Sequence, residues 1–208
     1  GSGMYADLSI FSFHPVKHIA AGEGGMITTN DEVLYKKIKN LRTHGIQQDQ
    51  NLKIENHGIW HYEMQELGYN YRLTDFQAAL GLSQLNRAEQ GLNRRFEIAS
   101  YYNEKFQNAN FIVRQSGVVT GHAYHLYVIQ VQRRDELINY LRQKNIFAQV
   151  HYIPAHLMPY YKQFGWKKGD MPHSESYYSS CLSLPMYPTL TTEEQDFVIS
   201  TIFKFFHK

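Results

Sequence analysis

The sequence predicts an α/β fold built in two parts, and three patterns support that prediction. Near the start, two short apolar stretches flank a glycine-rich loop, which is typical of a strand–loop–strand unit. Several later segments carry apolar residues at helical spacing. Beyond residue 120, strand, helix and strand patterns follow one another, which indicates a smaller α/β module. The length of 208 residues allows one large domain or two small ones.

The strand–loop–strand unit spans residues 9–29 and carries the most reactive candidate side chain. We expect buried strands on both sides to hold its loop rigidly, with Pro15 fixing one backbone dihedral angle. Lys17 lies in that loop, and a desolvated lysine amine is a nucleophile toward an aldehyde, as a Schiff base requires. Ser12, on the same unit, offers a hydroxyl that can bind an anion. The alternative for Lys17 is an ordinary solvated charge.

Helices are predicted where apolar residues recur at three and four positions. An amphipathic helix over 33–42 has acidic residues before it and basic residues at its end, which suits the helix dipole. Thr74 and Gln77 have the spacing of a capping box, and the pattern continues to about residue 89. A second helical pattern starts at Leu92, with Gly91 either separating the two helices or lying in a bend.

The remaining segments complete the outline. The stretch 47–66 shows neither period, so we expect a long surface excursion with a functional role. In the second half the pattern predicts a strand within 123–131, a helix over 134–144 and a second strand over 146–153. Thr191 is expected to cap a final helix.

Composition and charge exclude several classes of function. The 21 basic and 19 acidic residues are spread along the chain, so nothing favours nucleic acid or an anionic membrane as partner. No apolar run reaches the roughly 20 residues that cross a bilayer, and the single Cys181 fits a reducing compartment; we expect a soluble, cytoplasmic protein. His122 and His125 lack a Cys or acidic partner, so we expect no metal. A Ser-His-Asp hydrolase lacks its Gly-x-Ser-x-Gly elbow.

Four segments, in order, resemble the DegT/DnrJ/EryC1/StrS family of sugar aminotransferases. They are residues 9–25, 68–74, 148–152 and 182–188, so the resemblance covers essentially the whole chain. Within that family, the sequences His-Pro-Val-Lys-His and Ala-Gln-Val-His-Tyr are most similar to the branch of pseudaminic acid biosynthesis.

The resemblance implies a fold and a reaction. Residues 1–90 would be the end of a fold type I large domain that binds pyridoxal phosphate, and 91–208 the small C-terminal α/β domain. The reaction would aminate C4 of a UDP-linked 4-keto-6-deoxy-N-acetylamino sugar, with glutamate as the donor. Alternatives are a sugar nucleotide of another pathway, or a non-catalytic module that only dimerises.

The resemblance also assigns residues. Lys17 would hold pyridoxal phosphate as a Schiff base and then move the proton between Cα of the donor and C4′ of the cofactor. Ser12 would bind the cofactor phosphate, as would Asn70 of the neighbouring subunit, which makes a homodimer the expected assembly. His151 and Tyr152 would lie on the substrate side. Without the resemblance, the sequence favours a turn residue at Asn70. It also favours a structural role for a His-Tyr pair at the end of a strand.

The sequence departs from the family in one respect. Family members have their lysine near the middle of the chain, whereas here it is residue 17. The aspartate that pairs with the ring nitrogen, and so keeps the ring a good electron acceptor, has no counterpart among these segments. We expect either a fragment or a chain that a complementary chain completes, and we expect exposed apolar surface to favour association.

Overall fold

The computed structural model describes residues 2–47, 53–55, 57–113 and 119–207. The chain forms two compact units, Gly1–Ala88 and Glu89–Lys208, and each combines helices with strands. Within the described ranges, none of the helices has the length and apolar character needed to cross a membrane.

The first unit opens with the predicted strand–loop–strand arrangement. Strands β1 (Ser9–Ser12) and β2 (Gly25–Thr28) pair in antiparallel fashion, with Ser9 opposite Thr28 and Ser12 opposite Gly25. The expectation that these strands are buried is wrong, because only Ser9 is buried and all of β2 is exposed. Two strands alone have too little apolar area to bury their own faces.

Helix α1 (Glu32–Arg42) follows, and the Asp31 carboxylate caps it by accepting from the backbone N–H groups of Val33 and Leu34. Two-residue strands β3 (Ile46–Gln47) and β4 (Glu63–Met64) then pair with each other. This pairing brings together the two ends of the long surface segment predicted over residues 47–66. Part of that prediction, residues 48–52 and 56, lies outside the described residues.

Helix α2 (Asp75–Leu85) begins with the predicted capping box: Thr74 Oγ1 accepts from the Gln77 N–H, and the Gln77 side chain accepts from the Thr74 N–H. The predicted end of α2 near residue 89 is wrong. Helix α3 (Ala88–Lys105) already contains Gly91, so this glycine does not separate the two helices. The break falls at 86–87 because the Asn86 and Arg87 N–H groups bond in the tightened last turn of α2.

The second unit is organised around a three-stranded antiparallel sheet. Its order is β5 (Ile112–Val113), β6 (Tyr127–Val131), β7 (Cys181–Leu184). The predicted strand over 146–153 is wrong: only Gln149 is bridged, to Ser183, by hydrogen bonds of 2.7 and 3.1 Å. The place beside β6 is taken by β7, which leaves this segment a single bridge on the far edge of β7.

In the described part of the second unit, four further helices follow α3. They are α4 (Arg134–Gln143), the one-turn α5 (Pro159–Lys162), α6 (Pro172–Ser180) and α7 (Thr192–Phe206). The helices predicted near 134–144 and after Thr191 are thereby confirmed, and Thr191 forms a capping box with Glu194.

A single core holds the second unit together. Large apolar side chains from α3, β6, α4, β7 and α7 are completely or almost completely buried in it, among them Ile98, Tyr102, Phe106, Tyr127, Leu137, Leu182 and Ile202. The buried Arg95 guanidinium donates to three carbonyl oxygens, those of Tyr124, His125 and Met186, at 3.0–3.2 Å. This arrangement satisfies a charge that burial would otherwise penalise and fixes α3 against the segments flanking the sheet.

Candidate active site

The loop that carries Lys17 is closed by backbone hydrogen bonds. We call residues 13–24 the lysine loop. The Phe13 N–H donates to Gly24 O and the Ala21 N–H donates to Phe13 O, both at 2.9 Å. Within it, the Lys17 N–H donates to His14 O at 2.9 Å, so the lysine lies in a hydrogen-bonded turn. Lys17 is half-buried. The fixed backbone limits the positions from which its amine can react.

Small residues seat the lysine loop against helix α2. Ala21 is only 1% exposed, and a Cβ placed on Gly81 of α2 would lie 3.8 Å from the Ala21 Cβ. Leu73, just before α2, approaches so closely that a Cβ on Gly24 would lie 2.7 Å from its Cδ1. Gly24 also has φ of +141°, which side-chain-bearing residues rarely adopt. The α2 region therefore fixes the loop from a second side.

Ser12 is the last residue of β1 and is exposed. Its Oγ accepts from the His14 N–H at 3.4 Å, a bond that ties the strand end to the start of the lysine loop. Because the hydroxyl accepts in this bond, its own hydrogen is left to donate to an acceptor outside the turn. A phosphate oxygen is such an acceptor.

Asn70 lies in an extended segment that runs past the end of α1. It is bridged to Thr43, and its neighbours Tyr69 and Tyr71 donate backbone hydrogen bonds to Leu41 O and Arg42 O, at 2.7 and 3.0 Å. The Tyr69 and Tyr71 rings stack, with centroids 4.8 Å apart. In an extended chain alternate side chains share a face, so the Asn70 side chain is on the opposite face and is exposed.

A close backbone crossing fixes where that segment lies. A Cβ on Gly68 would lie 2.0 Å from the Gly45 nitrogen, and one on Gly45 would lie 1.8 Å from the Glu66 oxygen. Only glycine fits at either position, because backbone atoms cannot move aside as a flexible side chain can. The crossing joins the start of β3 to the segment before Asn70.

His151 and Tyr152 lie in the second unit. The His151 Nδ1 is 2.8 Å from Ser183 Oγ on β7, and burial lowers the pKa of His151, which favours its neutral form. Its ring meets that of Tyr152 edge to face, with centroids 4.5 Å apart. Tyr152 is 69% exposed and lines a cavity of about 720 Å³. His151, fixed by its bond to Ser183, therefore helps to position the ring of Tyr152.

That cavity was not predicted from the sequence. It is bounded by short turns and helical segments between Tyr152 and Tyr177. Three tyrosines and one tryptophan line it: Tyr152, Tyr161, Trp166 and Tyr177. These segments are short and rich in Pro and Gly, so no periodic pattern marks them. The density of aromatic residues between 152 and 178 is the signal that could have found it.

The predicted site residues divide between the two units. Ser12, Lys17 and Asn70 lie in Gly1–Ala88, and His151 and Tyr152 lie in Glu89–Lys208. Across the residues that the structure describes, no group of three or more His, Cys, Asp or Glu side chains is arranged to hold a metal ion.

Comparison with known proteins places the chain in a class. Residues 1–203 match the DegT/DnrJ/EryC1/StrS aminotransferase family. The solved structures it resembles include PseC from Helicobacter pylori, an aminotransferase involved in the biosynthesis of pseudoaminic acid, at 30% identity and a TM-score of 0.89, over 99% of this chain and 54% of that one. A sugar aminotransferase homologue from Streptococcus pneumoniae, Spr1654 in its PMP form, gives 32% identity and a TM-score of 0.87, over 96% and 53%.

Two curated relatives also match nearly the whole of this chain. The spore coat polysaccharide biosynthesis protein SpsC of Bacillus subtilis is 42% identical over 209 residues, covering 96% of this chain and 54% of the relative. The UDP-4-amino-4,6-dideoxy-N-acetyl-beta-L-altrosamine transaminase of Campylobacter jejuni serotype O:2 is 37% identical over 212 residues, covering 99% and 54%. The chain spans about half the length of the curated relatives it matches.

The fold class is thus the α/β fold of the fold type I aminotransferases, as the sequence predicted. The chain belongs to the DegT/DnrJ/EryC1/StrS aminotransferase family. The family's cofactor is pyridoxal 5′-phosphate, and the Streptococcus pneumoniae protein has been solved in both its PLP and PMP forms.

The residues of the lysine loop fit that cofactor by their chemistry. Lys17 offers a primary amine on a fixed turn, which an aldehyde requires, and Ser12 offers a hydroxyl hydrogen, which a phosphate oxygen accepts. Both belong to one hydrogen-bonded unit, the β1 strand end and the loop that follows it.

Proposed function

We propose that this chain carries the lysine site of an aminotransferase that acts on a UDP-linked 4-keto-6-deoxy-N-acetylamino sugar. Amination at C4 would use L-glutamate as donor, as in the pseudaminic acid branch of the family. The observation that carries the proposal is the lysine loop, in which three backbone hydrogen bonds and the glycine contacts with Leu73 and α2 hold Lys17 in one place.

Lys17 has two tasks in this proposal. Its amine would hold the cofactor through the cofactor's aldehyde group. The same amine, when free, would move a proton between Cα of the donor and C4′ of the cofactor. When bound, pyridoxal phosphate supplies the electron-accepting ring that makes this proton removable. The turn at His14–Lys17 supports both tasks because it keeps the amine within reach.

Ser12 and Asn70 are proposed to bind the cofactor phosphate. The Ser12 hydroxyl would donate to a phosphate oxygen while its Oγ goes on accepting from His14. Asn70, exposed on its extended segment, would reach the phosphate of a neighbouring subunit. In that case the active site is shared and the functional assembly is a homodimer.

His151 and Tyr152 are proposed to serve the substrate. Tyr152 contributes its exposed ring to the cavity in the second unit, and the bond between His151 and Ser183 fixes the position of that ring. His151 is therefore a positioning residue in this scheme, and Tyr152 is the one that contacts substrate. Residues 1–90 are the end of the large domain and 91–208 the small domain.

Two alternatives are kept. One is a sugar nucleotide of another pathway, with its keto group at C4 or C3; the other is a non-catalytic module that retains the lysine loop but binds no cofactor. The Campylobacter jejuni relative is itself a transaminase of a UDP-linked amino sugar, which supports the first choice of substrate.

The test is an amino-transfer assay of the full-length parent protein with pyridoxal phosphate, glutamate and a panel of 4-keto and 3-keto sugar nucleotides. We expect amination of a UDP-linked 4-keto sugar, abolished by Lys17→Ala and unaffected by Lys39→Ala, which removes an exposed lysine of α1. Turnover of a 3-keto substrate alone would favour the other pathway. No turnover, together with no cofactor bound at Lys17, would favour the non-catalytic module.

A further inference from the structure

The aromatic cavity of the second unit has dimensions and chemistry suited to one part of a nucleotide. Its volume of about 720 Å³ falls within the usual range of small-molecule sites. The rings of Tyr161, Trp166 and Tyr177 are 40–44% exposed, so each retains a face that a ligand can cover. These rings come from three segments, α5, α6 and the stretch between them.

The charge around the cavity argues against a phosphate as its occupant. Among the described residues that line it, none is Lys or Arg. An acid, Glu175, contacts the lining: its Oε1 lies 2.8 Å from Nε2 of the lining residue His156 and also accepts from the Gly169 N–H at 2.7 Å. The negative charge of a phosphate would be repelled by this carboxylate, whereas an uncharged ring would not be.

Polar groups in the lining can read the edge of a planar ring. His173 and Ser174, at the start of α6, offer an imidazole and a hydroxyl, and the tyrosines add phenol groups. Aromatic faces with a few donors and acceptors at the edge match a nucleobase better than a hexose, whose many hydroxyls each need a partner.

We infer that this cavity binds the nucleobase of the nucleotide-linked substrate, by stacking on its aromatic rings. The inference rests on the proposed function for the identity of the substrate. The cavity itself lies wholly within the second unit and is built without Lys17.

The experiment uses the two tryptophans of the chain, Trp60 and Trp166. In a Trp60→Phe background only Trp166 reports, and titration with uridine should quench its fluorescence to saturation. Tyr177→Ala should weaken binding by about five-fold to 100-fold, the range expected when one stacking partner is lost. Tyr177→Phe keeps the ring and should bind nearly as well as its parent. If Tyr177→Ala does not fold, Tyr161→Ala replaces it.

The matched control is Tyr187→Ala. Tyr187 is 42% exposed, close to the 40% of Tyr177, but it lines a different cavity of the same unit, together with Phe147 and Phe197. We expect no change in uridine binding. Absence of saturable quenching, an equal response to methyl N-acetylglucosaminide, or a loss of binding in Tyr187→Ala rather than Tyr177→Ala would each overturn the inference.

Failure here and failure of the proposed function are distinguishable. Lys17→Ala should leave uridine binding unchanged, and Tyr177→Ala should leave cofactor attachment at Lys17 unchanged. A chain that binds uridine but never attaches the cofactor contradicts the proposed function alone. A chain that attaches the cofactor but shows no binding in the aromatic cavity contradicts this inference alone.

Discussion

At the scale of single residues, Ser12 offers the sharpest test of how the cofactor phosphate is held. Ser12→Ala should raise the dissociation constant of pyridoxal phosphate about tenfold or more, because a hydrogen bond to a charged group is worth about 1.5–3 kcal/mol. Ser12→Thr keeps the hydroxyl and should bind within a few-fold of the parent. Equilibrium dialysis measures both constants, and equal affinity in all three proteins would remove Ser12 from the phosphate site.

The environment of Glu63 predicts that the turn between Ile54 and Glu63, in the first unit, loses stability at low pH. Its carboxylate accepts from the backbone N–H groups of Ile54 and Glu55, at 2.8 and 2.7 Å, and these bonds, with a smaller contribution from His61, lower its pKa from 4.5 to about 2. Since the pKa is depressed in the folded state, the stabilisation is fully present above pH 4.5 and is lost as the pH falls toward 2.

We therefore expect the turn between Ile54 and Glu63 to open between pH 4.5 and pH 2, as seen in the amide chemical shifts of Ile54 and Glu55. In Glu63→Gln that transition should be absent, because the amide does not titrate. Glu66→Gln, a change at a neighbouring acid, should retain it. Shifts that move with the same midpoint in Glu63→Gln would show that another group controls the turn.

Residue spacing predicted some of these features and missed others. The capping boxes at Thr74 and Thr191 were predictable because cap and partner lie three positions apart. The role of Glu63 was not, since its backbone donors lie eight and nine positions away in a segment with no period. Lys17 was singled out from its loop, but the fixed turn around it depends on contacts with Leu73 and Gly81, far along the chain.

At the scale of elements, the crossing of Gly45 and Gly68 fixes the segment that carries Asn70. Gly68→Ala would put a methyl group 2.0 Å from the Gly45 nitrogen, so we expect the first unit to lose about 1–3 kcal/mol of stability or more, because the clash is with backbone. Gly91→Ala, in the interior of α3 with its nearest contact at 3.7 Å, should instead stabilise by about 0.5–1 kcal/mol.

Chemical denaturation followed by circular dichroism measures the two changes. Opposite signs are expected, because both substitutions add the same methyl group and only the space around it and the backbone conformation differ. A neutral Gly68→Ala would show that the crossing can relax, and that Asn70 is not held where the structure has it.

The elements also show the limits of local pattern. The strand expected over 146–153 does not form: β7 pairs with β6, and this segment makes only the single bridge from Gln149 to Ser183 on the other edge of β7. The first helix was expected to continue to about residue 89, but the break falls at 86–87. Gly91 is accommodated inside α3 because a single glycine costs a long helix about 1 kcal/mol or less, while packing of α3 into the core supplies far more. A pattern read over about ten residues cannot show which distant segment will pair with a given strand.

At the scale of the whole molecule, the two units differ in how much of their apolar surface is buried. The second has a buried core, whereas in the described part of the first only Ser9, Ala21 and Gly45 are buried. Ile10 and Ile27, which pair across β1 and β2, are 79% and 47% exposed. Exposed apolar strands favour association with another surface.

We expect the 208-residue chain to self-associate, with a mean mass in sedimentation velocity that rises with concentration. Replacing Ile10 and Ile27 together by Thr keeps strand propensity while removing apolar area, and should shift the distribution toward monomer. Val113→Thr, an exposed change in the second unit, is the control and should have little effect. A monodisperse monomer in the parent chain would contradict this expectation.

The central claim is that Lys17, and no other lysine, attaches the cofactor, and reductive trapping tests it most directly. The chain is incubated with limiting pyridoxal phosphate, reduced with borohydride, digested and analysed by peptide mass. We expect the phosphopyridoxyl mass on the peptide containing Lys17, unchanged in Lys39→Ala and absent in Lys17→Ala. Label spread evenly over surface lysines, or retained in full by Lys17→Ala, would contradict it.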